Sequence, residues 1–151
     1  MKVIYILILG SFLFSCNSQE KDTEQTSSEQ TDTKKVAPIN CYRYTSQTDT
    51  ITLKVIHIGN SITGILVYNL KEKDKNKGTI QGRMQDDLLI ANYTFMSEGI
   101  QSIRQVAFKL EGNSFVEGYG EIVTENDKSH FKNLDDLSFN TSIKLTEIDC
   151  Q

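Results

Sequence analysis

Glu117 and Glu121 are the residues of this chain whose type and spacing come nearest to acid–base chemistry. They flank Tyr119 in the run EGYGE, where a strand puts all three side chains on one face. Paired carboxylates invite hydrolysis of a glycosidic bond, one as acid and the other as nucleophile or base. The spacing opposes that reading. Four residues of strand separate the backbones by roughly 13 Å, whereas glycoside hydrolases hold their carboxyls about 5 to 9.5 Å apart. Long side chains shorten the gap, so a hydrolase stays as an alternative. A polar lining for a ligand pocket suits the three residues better.

Arg104 joins them through strand pairing. A two-residue turn at Gly112-Asn113 sets Leu110 opposite Phe115, Phe108 opposite Glu117, Val106 opposite Tyr119 and Arg104 opposite Glu121. Leu110, Phe108 and Val106 mark the inward face, so Arg104 is expected to point inward beside a carboxylate. A charge facing a core must be paired or wet. Two readings follow: Arg104 and Glu121 hold a polar group of a ligand, using the planar fork of the guanidinium, or they form a cross-strand ion pair that finishes the strand ends. Tyr68 and Tyr93 fall on the inward faces of other hairpins. The candidate ligand-binding set is therefore Arg104, Glu117, Tyr119, Glu121, Tyr68 and Tyr93.

The remaining reactive side chains are scattered. His57 sits on an apolar face beside a turn, and His130 lies far along the chain. Neither accompanies a nucleophile elbow, metal-ligand spacing or a phosphate-cradling glycine loop. No catalytic residue, metal or cofactor is expected. With 16 Lys and Arg against 20 Asp and Glu, the net charge is −4, and the basic footprint of a nucleic-acid binder is missing.

The elements that must carry these residues are strands. From about Val36 onward polar and apolar residues alternate, and turn signals recur every ten residues or so, as in an all-β meander. In KVIHI-GN-SITGILVY the turn Gly59-Asn60 sets Ile58 opposite Ser61, Val55 opposite Gly64, Leu53 opposite Leu66 and Ile51 opposite Tyr68. A turn at Asp86-Asp87 sets Met84 opposite Leu89, Gly82 opposite Ala91 and Ile80 opposite Tyr93. Each pairing segregates apolar from polar residues, and a one-residue slip would destroy the segregation. Further strands are expected at 41–44, 128–131 and 142–150, with a short helical turn at 133–138. The charged run LKEKDKNKGT reads as a solvated hairpin tip, and Ser97–Gly99 as a turn.

The fold class expected is all-β: a single antiparallel up-and-down meander of about eight strands closing into a small barrel, which removes exposed sheet edges. In-strand glycines (Gly64, Gly82, Gly118, Gly120) suit tight bends or close backbone approach. With Ala91, Gly64 and Gly82 leave space, while Tyr68, Tyr93, Phe95, Phe108 and Tyr119 supply bulk. An eight-stranded barrel is just wide enough to be filled by side chains or to hold one small ligand. The domain resembles the calycin architecture shared by lipocalins and streptavidin. Through CYRYTS, GNSITG, EKDKNKGTI, NYTFMSEG and EGYGE it is similar to small Bacteroidota lipoproteins. It lacks the tryptophan that lipocalins place on their first strand, so that likeness is one of shape.

The chain opens with Lys2, an apolar run from Val3 to Phe14, and Leu13-Phe14-Ser15-Cys16. The run is shorter than the roughly 20 residues that span a bilayer and has the layout of a secretory signal. The segment resembles the lipobox of bacterial lipoproteins. That resemblance implies cleavage after residue 15, a lipid on Cys16 and anchoring to the membrane by several acyl chains. Residues 16–35 read as the lipidated cysteine and a flexible polar tether, because Asn17 to Lys35 contains no apolar residue. The tether's Glu20 and Asp22 resemble the export signal of some Bacteroidota lipoproteins. That resemblance, with the lack of Asp directly after Cys16, implies the outer membrane of a Gram-negative envelope, on its periplasmic or surface face. With Cys16 lipidated, Cys41 and Cys150 remain, and in an oxidising compartment they are expected to form a disulfide. Asp49-Thr50-Ile51 resembles a short O-glycosylation acceptor.

The expected organisation is thus a signal peptide (1–15), a tether (16–35) and a barrel domain (36–151). The expected function is a non-catalytic, monomeric binding module of the cell envelope. Its partner is a small amphipathic ligand inside the barrel or another envelope protein. The alternatives are a hydrolase using the EGYGE carboxylates and a purely structural lipoprotein.

Overall fold

A computed structural model of the chain describes residues 37–151. The expected signal peptide, Cys16 and the tether lie outside the described residues. Ten strands follow in order: β1 (Ile39–Thr45), β2 (Thr50–Ile58), β3 (Ser61–Asn69), β4 (Asn76–Gln85), β5 (Leu88–Ser97), β6 (Ile100–Glu111), β7 (Ser114–Tyr119), β8 (Ile122–Glu125), β9 (Lys128–Phe131) and β10 (Ser138–Ile148). No helix occurs among them, and residues 133–138 make only a turn, with Leu137 N–H donating to the Leu134 carbonyl at 3.4 Å.

Eight strands close a ring in the order β1-β2-β3-β4-β5-β6-β7-β10, sealed by β5–β6 and β10–β1 pairing. Every ladder of the ring is antiparallel. The three hairpin registers agree with the alternation: Leu53 pairs with Leu66, Ile80 with Tyr93, and Phe108 with Glu117. Gly59 and Gly112 take φ near +60° in their turns, a region glycine reaches without steric cost. Gly82 has a different role. A Cβ there would run into the Ile90 carbonyl and into Ala91, so the missing side chain lets β4 and β5 approach closely.

One end of the barrel is solid. Leu53, Leu66, Ile80, Leu89 and Phe108 are wholly buried there, with Tyr42 and Phe115 packed edge-to-face at 4.8 Å. β1 and β10 share only three paired positions, against five between β6 and β7. The Cys41–Cys150 disulfide sits beside that short seam, with Cα atoms 5.3 Å apart. In the chain-entropy account a loop of this size stabilises by up to about 4.7 kcal/mol.

The meander departs from simple succession once. β7 ends at Tyr119, and the chain leaves the ring as the β8–β9 hairpin before β10 rejoins it. β9 runs parallel to β6, pairing only Ile103 with Lys128 and Arg104 with Ser129. The expected continuation of the β6–β7 register to Val106–Tyr119 and Arg104–Glu121 is therefore not made. Beyond Ala107–Gly118 the two strands part, and the hairpin stands between them.

Candidate functional site

The parting of β6 and β7 opens the barrel at the end away from the Gly59 and Gly112 turns. Two cavities lie there, of about 430 Å³ and about 390 Å³. The first is a side chamber between β6 and the β8–β9 hairpin, walled by Ile103, Val106, Ile122 and Phe131. The second is the barrel mouth, walled by Ile51, Tyr68, Leu70, Tyr93 and Ile143. Phe95, Arg104, Glu117 and Tyr119 line both, so the cavities meet at these four residues.

Glu117 is the polar centre. It points inward from β7 and is only 5 % exposed. Tyr68 Oη donates to its Oε1 at 2.5 Å, and Tyr119 Oη donates to its Oε2 at 3.1 Å. Burial pushes the carboxyl above its ordinary value, while the Tyr68 hydrogen bond, the Arg104 charge and the Tyr119 hydrogen bond act against the rise. Desolvation likewise pushes Tyr68 well above the usual tyrosine range and Tyr93 up to about 12. Both are neutral donors at physiological pH.

Arg104 stands directly across from Tyr93 in the β5–β6 ladder. Its guanidinium carbon lies 5.1 Å from the Tyr68 ring centroid, 5.6 Å from Tyr93 and 6.0 Å from Phe95. Tyr93 and Phe95, two apart on β5, stack at 4.7 Å. Gly78 on β4 makes room for them: a Cβ there would come within 2.8 Å of both Tyr93 and Phe95. Three aromatic faces thus hold one half-buried cation. Arg104 Nε and Tyr93 Oη are buried without a hydrogen-bond partner.

A bulge in β10 completes the site. The β7–β10 ladder passes from Phe139–Gly118 to Lys144–Val116, so residues 140–143 stand opposite the single residue Glu117. Asn140 Oδ1 accepts from both Ser142 N (3.1 Å) and Ser142 Oγ (2.6 Å), which folds the extra residues on themselves. Bulges of this kind re-aim side chains and end regular pairing. Here one leaves Ile143 in the mouth lining.

Five of the six candidate ligand-binding residues converge: Tyr68, Tyr93, Arg104, Glu117 and Tyr119. Glu121 does not. It is exposed, lines neither cavity, and accepts from Lys132 Nζ at 3.0 and 3.1 Å. The expected Arg104–Glu121 pair is replaced by the aromatic setting of Arg104, because the chain turns away from β6 after Tyr119. Sequence reasoning missed Phe95 as a site residue, although its spacing from Tyr93 puts both on the inward face. It also missed the bulge. His57 is half-buried opposite Ile62, and His130 pairs with Val123 in the outer hairpin. Thr50 is the half-buried first residue of β2. Among the described residues no three His, Cys, Asp or Glu side chains converge as a metal would require.

Compared with protein-family models, curated proteins and solved structures, the chain shows no significant match to any of them.

Proposed function

We propose that the protein is a lipid-anchored envelope lipoprotein whose barrel is a non-catalytic binding module for a small amphipathic ligand. The carrying observation is the paired cavity at the open end. Its volume lies in the range of ligand pockets, about 300–1,000 Å³, and it combines apolar walls with a few converging polar groups. The hydrolase alternative has less support, since Glu117 is committed to two tyrosine hydroxyls and Glu121 to Lys132. The anchor rests on the lipobox resemblance at Cys16, and the outer-membrane address on the tether.

Two experiments test the reading. Cells fed radiolabelled palmitate should label the wild-type protein and not Cys16→Ser; equal labelling of both ends the anchor proposal. Residues 16–151 carrying Cys16→Ser should enhance the fluorescence of the neutral apolar probe N-phenyl-1-naphthylamine in a saturable, one-to-one manner. An unsaturable or absent response ends the carrier proposal.

A further inference from the structure

The open end holds two hydrogen-bond donors that nothing in the barrel satisfies. Arg104 Nε and Tyr93 Oη are both buried and unpartnered, and both residues line the mouth cavity. A buried donor left unmade carries the full cost of its lost hydration, and buried polar groups in folded proteins are rarely left so. Arg104 carries a second deficit. Among the described residues no carboxylate reaches it at ion-pair distance, because the oxygens of neighbouring Glu117 accept from Tyr68 and Tyr119 instead. The contacts of Arg104 with Tyr68, Tyr93 and Phe95 are cation–π contacts, which use no N–H donor.

We propose that Arg104 and Tyr93 receive the carboxylate of an amphipathic monoanion whose apolar body lies in the side chamber beneath the β8–β9 hairpin. The proposal rests on the ligand-carrying reading above and names the chemistry of that ligand. Arg104 Nε can only donate and the Tyr93 hydroxyl can donate, so a head that accepts satisfies both. A guanidinium with no carboxylate at ion-pair distance suits a head with one negative charge. A phosphate would bring close to two, leaving a surplus beside Glu117. Glu117 lines the same cavity, and both of its oxygens already accept from Tyr68 and Tyr119, which leaves the Arg104 donors for the ligand. A carboxylate suits the guanidinium, whose N–H groups match its geometry. Ile103, Val106, Ile122 and Phe131 offer the apolar body its walls.

The test is isothermal titration of residues 16–151 carrying Cys16→Ser with decanoate and, separately, decanol at neutral pH. Decanoate should bind about tenfold tighter or more, the equivalent of one charge-assisted hydrogen bond. In Arg104→Met the preference should vanish while decanol binding persists, which also reports an intact barrel. Tyr93→Phe should weaken decanoate several-fold, and more than it weakens decanol. Equal affinities in the wild type, or a preference that survives Arg104→Met, overturns the carboxylate assignment while the carrier reading stands. Failure of both compounds to bind overturns the carrier reading and this proposal with it.

Discussion

On β3, β5, β6 and β7 the inward row starts apolar at the end carrying the Gly59, Asp86 and Gly112 turns: Ile62 and Leu66, Leu89 and Ala91, Phe108 and Val106, Phe115. At the other end the same rows continue into Tyr68, Tyr93, Arg104 and Glu117. The alternation is unbroken, and only the chemistry of the inward residues changes. At the first end the inward side chains are apolar or aromatic and close-packed, with Ser114 beside the Gly112 turn as the buried polar residue, and such packing is how a core gains stability. At the second end two buried donors lack partners and a carboxylate is desolvated. Groups that cost stability are expected where a function is carried, and here they lie at the end that the proposed binding module would use.

Four substitutions or treatments break or sharpen this contrast. The largest effect belongs to the solid end. Phe108, wholly buried, should cost about 3–5 kcal/mol on replacement by Ala, read as a fall in urea midpoint at unchanged slope. Cutting the disulfide with Cys41→Ser and Cys150→Ser together should cost about 2–4 kcal/mol, measured as the drop in unfolding free energy. A loss far below that would mean the β1–β10 seam holds without it.

The open end should respond in the opposite direction. Tyr93→Phe removes a buried hydroxyl with no partner and should raise stability by about 1 kcal/mol. A loss of similar size would show that the hydroxyl is satisfied in solution and would weaken the contrast. The smallest effect is one of pH. Because burial raises the Glu117 carboxyl above its ordinary value, the native state binds that proton more tightly than the unfolded chain. Its contribution favours folding at pH below the ordinary carboxyl range and is lost as pH rises through the raised value. Glu117→Gln should flatten the stability curve on the alkaline side of the ordinary carboxyl range, followed by urea unfolding. An unchanged slope would place the pH sensitivity elsewhere.

Much of the ring is legible in the sequence. Two-residue turns with a Gly or Asp at the first position, flanked by strict alternation, fix register by local rules. Val55–Gly64, Gly82–Ala91 and Leu110–Phe115 pair as those rules require. The disulfide follows the same way, from the two cysteines left at the domain's ends. The site is legible only in part. Tyr68, Tyr93, Arg104, Glu117 and Tyr119 share an inward face that alternation reveals, but extrapolating the β6–β7 register assigns Arg104 the wrong partner. The signal against it is the pair Asn126-Asp127 between VTE and KSHF. Both residues take positive φ and turn a second hairpin outside the ring.

The sequence by itself determined most strands of the ring, their inward faces and three hairpin registers, because these depend on a period of two and on turn residues a few positions apart. β8 (Ile122–Glu125) and the start of β10 at Ser138 went unforeseen. Only the tertiary structure decided where the barrel opens. The parting of β6 from β7, the bulge opposite Glu117 and the seating of Arg104 among three rings join positions far apart in the chain. No local pattern encodes which of several inward polar residues will meet. That is settled by which strands close the ring and where their pairing stops.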